Sequence, residues 1–232
     1  MKVVLFDLDG TLVSTGGAGI RALDRAFKDI FGLERAGEGI RFAGKTDPRI
    51  IREIIATKTG RAAQDGELAQ IAEAYLKYLP EEVSNRHDYQ TLPGIETCIK
   101  GLLDRGDILV GLGTGNLERG ARIKLEPAGF NPYFSFGGFG SDSEDRPELL
   151  KIGLSRATNG SGVKIPPSDA LVIGDTILDI DAARKAGMPV AAVTCGHGDP
   201  DELKAARPDL LLKDFTEYEL ILDFLSRIAV KQ

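Results

Sequence analysis

The chain has 232 residues, 42% hydrophobic and 28% charged, which describes a globular protein with one large domain or two small ones and excludes disordered and fibrous classes. Its formal charge of -6 argues against the broad basic face that nucleic acid or an anionic membrane requires, while leaving room for a local cationic pocket. Cys98 and Cys195 stand far apart without metal-ligand spacing, and no apolar stretch reaches transmembrane length, so neither a disulfide framework nor a zinc site is expected and the cytoplasm is the expected location.

The first element is an apolar run, Val3 to Phe6, that leads straight into Asp7, Leu8, Asp9, Gly10 and Thr11. Two carboxylates at the end of a buried strand are costly, because each loses hydration and each raises the other's cost of ionising. Something must stabilise that charge or use it. Residues 16 to 85 then show helical patterns and no convincing strand: Ile20, Leu23, Phe27 and Ile30 share one helical face, as do Ile50, Ile51, Ile54 and Ile55, and then Leu68, Ile71, Tyr75 and Leu79. Turn-rich stretches, STGGAG and LPEEVSNRHDYQTLPG, border this segment as candidate hinges.

After the helix ETCIKGLLDRG, short apolar runs alternate with helix-period segments. ILVGLGT ends in GTGN before a helical pattern near Leu117, FSF is a short strand candidate, and ALVIGD closes on Asp175 before the helix TILDIDAARKAG, which stops at Gly187. PVAAVT and LLLK complete the set. The alternation predicts an α/β fold with a Rossmann-like parallel sheet flanked by helices on both faces. In such sheets ligands bind beyond the carboxyl ends of the strands, so Asp7, Asp9, Thr114 to Asn116 and Asp175 are expected to converge. His87 and His197 sit in loop-like stretches without ligand spacing and read as surface residues.

DLDGT, the threonine of GLGTGN, and GDTILD, in that order and at these separations, resemble the motifs of the haloacid dehalogenase-like hydrolase superfamily, in the branch with a helical cap. The resemblance implies a core at 1–15 and 86–232 and an inserted cap at 16–85. It also implies Mg2+, a hard ion suited to oxygen ligands, held by the Asp7 and Asp175 carboxylates and the Asp9 backbone carbonyl. Asp7 would be the nucleophile that forms an aspartyl-phosphate, and Asp9 the acid that protonates the leaving group and then the base that activates water. Thr114, with Gly115 and Asn116, offers donors to phosphate oxygens, although a threonine here is also an ordinary helix cap. Gly10 permits a close turn beside the site, as it would in any strand-to-loop turn. Asp179, one helical turn beyond Asp175, suits a role orienting the metal ligands, and equally suits the first turn of a helix.

The superfamily's third motif, a lysine before a proline, reads DRPELLK in this chain. Arg146 before Pro147 takes the lysine's place as the cation facing Asp7, with Lys151 as the competing candidate. In RFAGKTDPR, Lys45 is a candidate for substrate contact, the alternative being a plain helix entry with TDP at its start. The expected activity is a Mg2+-dependent phosphatase acting on a small phosphorylated metabolite, similar to the phosphoglycolate phosphatase group. A sugar-phosphate mutase resembling β-phosphoglucomutase shares every core residue. A dehalogenase needs neither the second acid nor a metal, and a phospho-acceptor receiver or binding module needs no cap. No nucleic-acid or membrane partner is expected, and nothing in the chain speaks to oligomeric state.

Overall fold

The computed structural model describes residues 1–84 and 88–228. In chain order the elements are β1 (Lys2–Phe6), β2 (Val13–Thr15), α1 (Ala18–Phe31), α2 (Asp47–Thr59), α3 (Glu67–Ser84), β3 (Tyr89–Thr91), α4 (Ile95–Leu103), β4 (Ile108–Thr114) and α5 (Glu118–Leu125). Then follow β5 (Gly137–Phe139), α6 (Arg146–Ser161), β6 (Ala170–Gly174), α7 (Ile177–Lys185), β7 (Val190–Val193), α8 (Pro200–Ala205), β8 (Leu210–Leu212) and α9 (Glu219–Ile228).

Among the described residues, β5-β4-β1-β6-β7-β8 form one parallel sheet in that order. Its strands read as continuous apolar runs because both faces are covered. Along β1 the pleat sends Val4 and Phe6 into one core with Ile95, Ile99 and Leu102 of α4 and Ile221 and Leu225 of α9. Val3 and Leu5 enter the other, with Leu149 and Leu150 of α6 and Ile180 and Ala183 of α7. β1 lies at the centre of the sheet, so the acids that follow it emerge at mid-edge, beside the ends of β4 and β6. The Asp7 amide donates to the Ile173 carbonyl at 2.8 Å, which carries the pairing one residue past β1.

The helices α1, α2 and α3 pack around a third apolar core that includes Phe27, Ile51, Ile54, Ile55, Ile71, Tyr75 and Leu79. On α1 the buried face is Ala18, Ala22, Leu23, Ala26 and Phe27, and Ile20 and Ile30 are exposed. The expected Ile20-Leu23-Phe27-Ile30 face is therefore corrected: small alanines let α1 lie close against α3, and that rotates the outer isoleucines outward. Both expected hinges carry strand, since β2 and β3 pair antiparallel from Val13–Thr91 to Thr15–Tyr89. His87 and the residues beside it, 85 and 86, lie outside the described residues.

The fifth strand also differs from expectation. FSF is not a strand: Phe134 is buried in the first core and the pairing begins at Gly137, opposite Leu112. The bulky aromatics anchor the approach to the sheet, and the slim glycine pair that follows fits between β4 and α6.

Candidate active site

Asp7, Asp175 and Asp179 converge at the carboxyl edge of the sheet, with one carboxylate oxygen from each within 4.8 Å of the others and all three residues buried. Asp7 follows β1, Asp175 follows β6, and Asp179 stands in the first turn of α7. Thr176 caps that helix: its hydroxyl accepts from the Asp179 amide and donates to Asp179 Oδ2 at 2.6 Å, and its own amide donates to the same oxygen at 3.0 Å. Asp179 is thus held within the carboxylate cluster, beside Asp7 and Asp175.

Such a cluster is electrostatically expensive. Burial, reinforced by the charge of Asp179, pushes the Asp7 carboxyl up from an ordinary 3.8 to about 7, and Arg146 offsets part of that rise. Burial likewise raises Asp175, although the His197 amide donates to its Oδ2 at 2.6 Å and Thr11 donates to its Oδ1 at 3.3 Å. A hard divalent cation suits this donor set, since it would relieve the repulsion among three buried carboxylates with oxygen ligands of the kind it prefers. The Asp9 side chain stands apart from the cluster: its Oδ2 accepts from Lys124 Nζ at 2.6 Å and from Asn116 Nδ2 at 2.9 Å.

Arg146 opens α6, with Pro147 in the first turn as expected of that sequence. Its guanidinium is hydrogen-bonded to Asp179 and lies 3.5 Å from Asp7 Oδ1. Burial works against the arginine's charge, but Asp179 and Asp7 more than compensate and raise its pKa further. Lys151, the competing cation, is half-exposed and pairs with Glu148 at 3.6 Å.

Thr114 is buried at the end of β4, where its hydroxyl accepts from the Asn116 amide at 3.3 Å and side chain at 3.0 Å. The Gly115 carbonyl accepts from the Asp47 amide of α2 at 2.8 Å, and Asp47 Oδ2 accepts from the Leu117 amide at 2.8 Å, so the helical layer is latched onto this turn. Lys45 lines the cavity but its ammonium is engaged by Glu53 at 2.5 Å. Gly10 has φ +84°, and a Cβ there would lie 2.3 Å from both Asp175 Oδ2 and His197 Nδ1, so any side chain strains the backbone and strikes the cluster.

A cavity of about 190 Å³ opens on Asp7, Asp9, Asn116, Arg146 and His197, with Ile20, Leu23, Phe42 and Ile50 from the helical layer on its far wall. The model for haloacid dehalogenase-like hydrolases matches residues 1–187 of the chain. The chain belongs to that family. Among curated relatives, "Probable phosphatase IndB" of Dickeya dadantii is 27% identical over 93% of this chain and 90% of its own length. A phosphoglycolate phosphatase of Pseudomonas savastanoi is 27% identical over 92% of this chain and 76% of its own. Among solved structures, β-phosphoglucomutase from Clostridium difficile matches with a TM-score of 0.74 at 20% identity over 100% of both chains, a likeness of fold alone.

For a haloacid dehalogenase-like hydrolase, two features of this site went unread in the sequence. His197 is exposed, as expected of a surface residue, but it also lines the cavity, its Nδ1 lies 3.4 Å from Asp175 Oδ2, and that contact raises its pKa. It sits just beyond β7, so the strand-end rule, extended to one more strand, marks it. Lys124 is the second, a lysine whose ammonium is buried beneath the helical layer. Its signal was a lysine on the face of α5 that also buries Gly120, Ala121 and Leu125.

Proposed function

We propose that the protein is a Mg2+-dependent phosphomonoesterase that hydrolyses a small phosphorylated metabolite through an aspartyl-phosphate on Asp7. The observation that carries this reading is a buried carboxylate cluster with one fixed guanidinium at its mouth, opening on a small cavity. Asp7, Asp175 and the Asp9 backbone carbonyl would hold the ion, with Asp179 beside them, and the ion would supply positive charge to the ligating carboxylates and to a phosphate oxygen.

The protein's own groups account for the rest. Asp7 attacks phosphorus as the ester bond breaks, and Asp9 gives its proton to the departing alkoxide. In the second displacement a water attacks the phosphorus, Asp9 takes the water's proton, and Asp7 is released. Arg146 lines the cavity with its guanidinium beside Asp7, where its charge would face a phosphate bound against that carboxylate. Gly115 and Asn116 line the same cavity, and Thr114, fully buried behind them, holds Asn116 in place by accepting from its amide and its side chain.

The cavity, about 190 Å³ and open on one side, is of a size that suits a small phosphate ester. Ile20, Leu23, Phe42 and Ile50 line it beside the polar side chains of Ser14, Thr15, Lys45 and Tyr75, so hydrolysis and the mutase reading are separated by assay rather than by the lining. The test is phosphate release from p-nitrophenyl phosphate and from a panel of two- to four-carbon phosphate esters, with and without Mg2+, and with sugar phosphates monitored for isomerisation. No release from any ester in the presence of Mg2+ refutes the reading, and isomerisation without release replaces it with the mutase.

A further inference from the structure

Lys124 belongs to none of the family motifs, yet its side chain is among the most enclosed charges in the molecule. It projects from α5 with 5% of its side chain exposed. Its ammonium lies 2.6 Å from Asp9 Oδ2 and 2.6 Å from Asn116 Oδ1. Asn116 turns its amide nitrogen to the same Asp9 oxygen at 2.9 Å and to Thr114 Oγ1 at 3.0 Å. Both hydrogen bonds to the Asp9 carboxyl therefore fall on Oδ2. Among the described residues, no hydrogen bond reaches Oδ1, on a side chain that is a third exposed and lines the cavity.

The lysine is itself fixed from the opposite side. Asp47 of α2 and Tyr75 of α3 face its charge, and Gly19 of α1 lies so close that a Cβ there would stand 3.5 Å from the ammonium. A buried ammonium is tolerated only where partners replace its hydration, and the partners here come from four separate elements. That is a large investment for a residue outside the carboxylate cluster, and it converges on one oxygen of one carboxyl group.

We propose that Lys124 is a positioning residue for Asp9: with Asn116 it holds Oδ2, so that Oδ1 alone is presented to the leaving-group oxygen. This rests on the reading of Asp9 as the acid and base given above. In the first displacement the bond from Asp7 to phosphorus forms, the ester P–O bond breaks, and the proton on Oδ1 passes to the leaving oxygen. In the second the water's proton passes to Oδ1 as the Asp7–phosphorus bond breaks. A carboxyl free to rotate would offer either oxygen in many orientations, and proton transfer requires hydrogen-bond reach in a defined one.

The test uses two aryl phosphates that differ in how much they need a proton. p-Nitrophenolate departs as a stable anion, and phenolate is more basic. With the full chain and Mg2+, the pre-steady-state release of each phenol reads the first displacement alone. Asp9→Asn is expected to lose about a hundredfold more on phenyl phosphate than on p-nitrophenyl phosphate, and Lys124→Met at least about tenfold more. The double variant should be no worse than Asp9→Asn within about twofold, because the lysine acts through that carboxyl. Equal losses by Lys124→Met on the two esters mean that the lysine only supports the fold, and overturn the proposal. If Asp9→Asn itself loses equally on both, the assignment of Asp9 as acid fails and takes this inference with it, a result distinguishable from the first. Should Lys124→Met fail to fold, the same comparison is made on Lys124→Gln, for which equal losses are equally decisive.

Discussion

Replacing Arg146 by alanine is expected to lower kcat for p-nitrophenyl phosphate by about a hundredfold to a thousandfold, the cost of about 2.7 to 4 kcal/mol typical of removing one preorganised donor from developing charge. The structure supports that size. The guanidinium is 10% exposed and 3.5 Å from Asp7 Oδ1, a separation at which two unit charges attract by about 5 kcal/mol at an effective dielectric of 20, before desolvation is subtracted. The same deletion leaves Asp7 and Asp179 facing each other without their fixed cation. Breaking a buried pair in this way costs about 3 to 5 kcal/mol, so the metal-free variant should melt about 6 °C or more below the parent. Saturating Mg2+ should restore a larger share of stability to the variant than to the parent, because the added charge meets a more strongly negative site. Arg146→Lys should recover part of the rate, with a shorter reach and no fork of donors. Lys151→Ala, at a half-exposed surface pair, should change kcat less than about twofold. Steady-state kinetics and thermal unfolding with and without Mg2+ check all three variants. An Arg146→Ala enzyme within tenfold of the parent, or a larger loss from Lys151→Ala, would refute the assignment of the third-motif cation.

Asp7→Asn should abolish turnover, to below about one percent, while leaving the far-ultraviolet circular dichroism unchanged, since it removes the nucleophile and keeps the shape. Asp175→Asn should instead raise the Mg2+ concentration needed for half-maximal rate, measured by titrating the metal at saturating substrate. Gly10→Ala should impair both rate and metal response, because its Cβ would lie 2.3 Å from Asp175 Oδ2 on a backbone at φ +84°. Burial raises the Asp47 carboxyl from an ordinary 3.8 to about 6, so between those values the folded state binds a proton that the unfolded state has released. That contribution is full below about pH 4 and is lost as pH rises through 6, amounting to at most about 3 kcal/mol. Asp47→Asn should therefore flatten the fall in stability between pH 4.5 and 7 measured by urea titration, and an unchanged slope would contradict it.

What the sequence determined by itself was local. Uniformly apolar runs of strand length can only be buried on both faces, and this foretold the parallel sheet. The acids of DLDGT and GDTILD could be placed at strand ends because a strand's end is written in the residues that stop it. Arg146 before Pro147 marked a helix start for the same reason, and the observed α6 begins there. The exposure of Ile20 and Ile30 was not written there, because a 3.6-residue period marks several faces when a helix carries both alanines and isoleucines, and the partner helix selects among them. Lys124 and His197 were less legible still. A lysine in ARIKLE reads as surface charge unless a carboxylate arrives to meet it, and the one that does, Asp9, stands 115 residues earlier. His197 acquires its environment only because β7 ends beside β6, which brings Asp175 to its imidazole across 22 residues of chain. Hydration makes an isolated charge comfortable at the surface, so its burial is decided by partners that only the tertiary fold assembles.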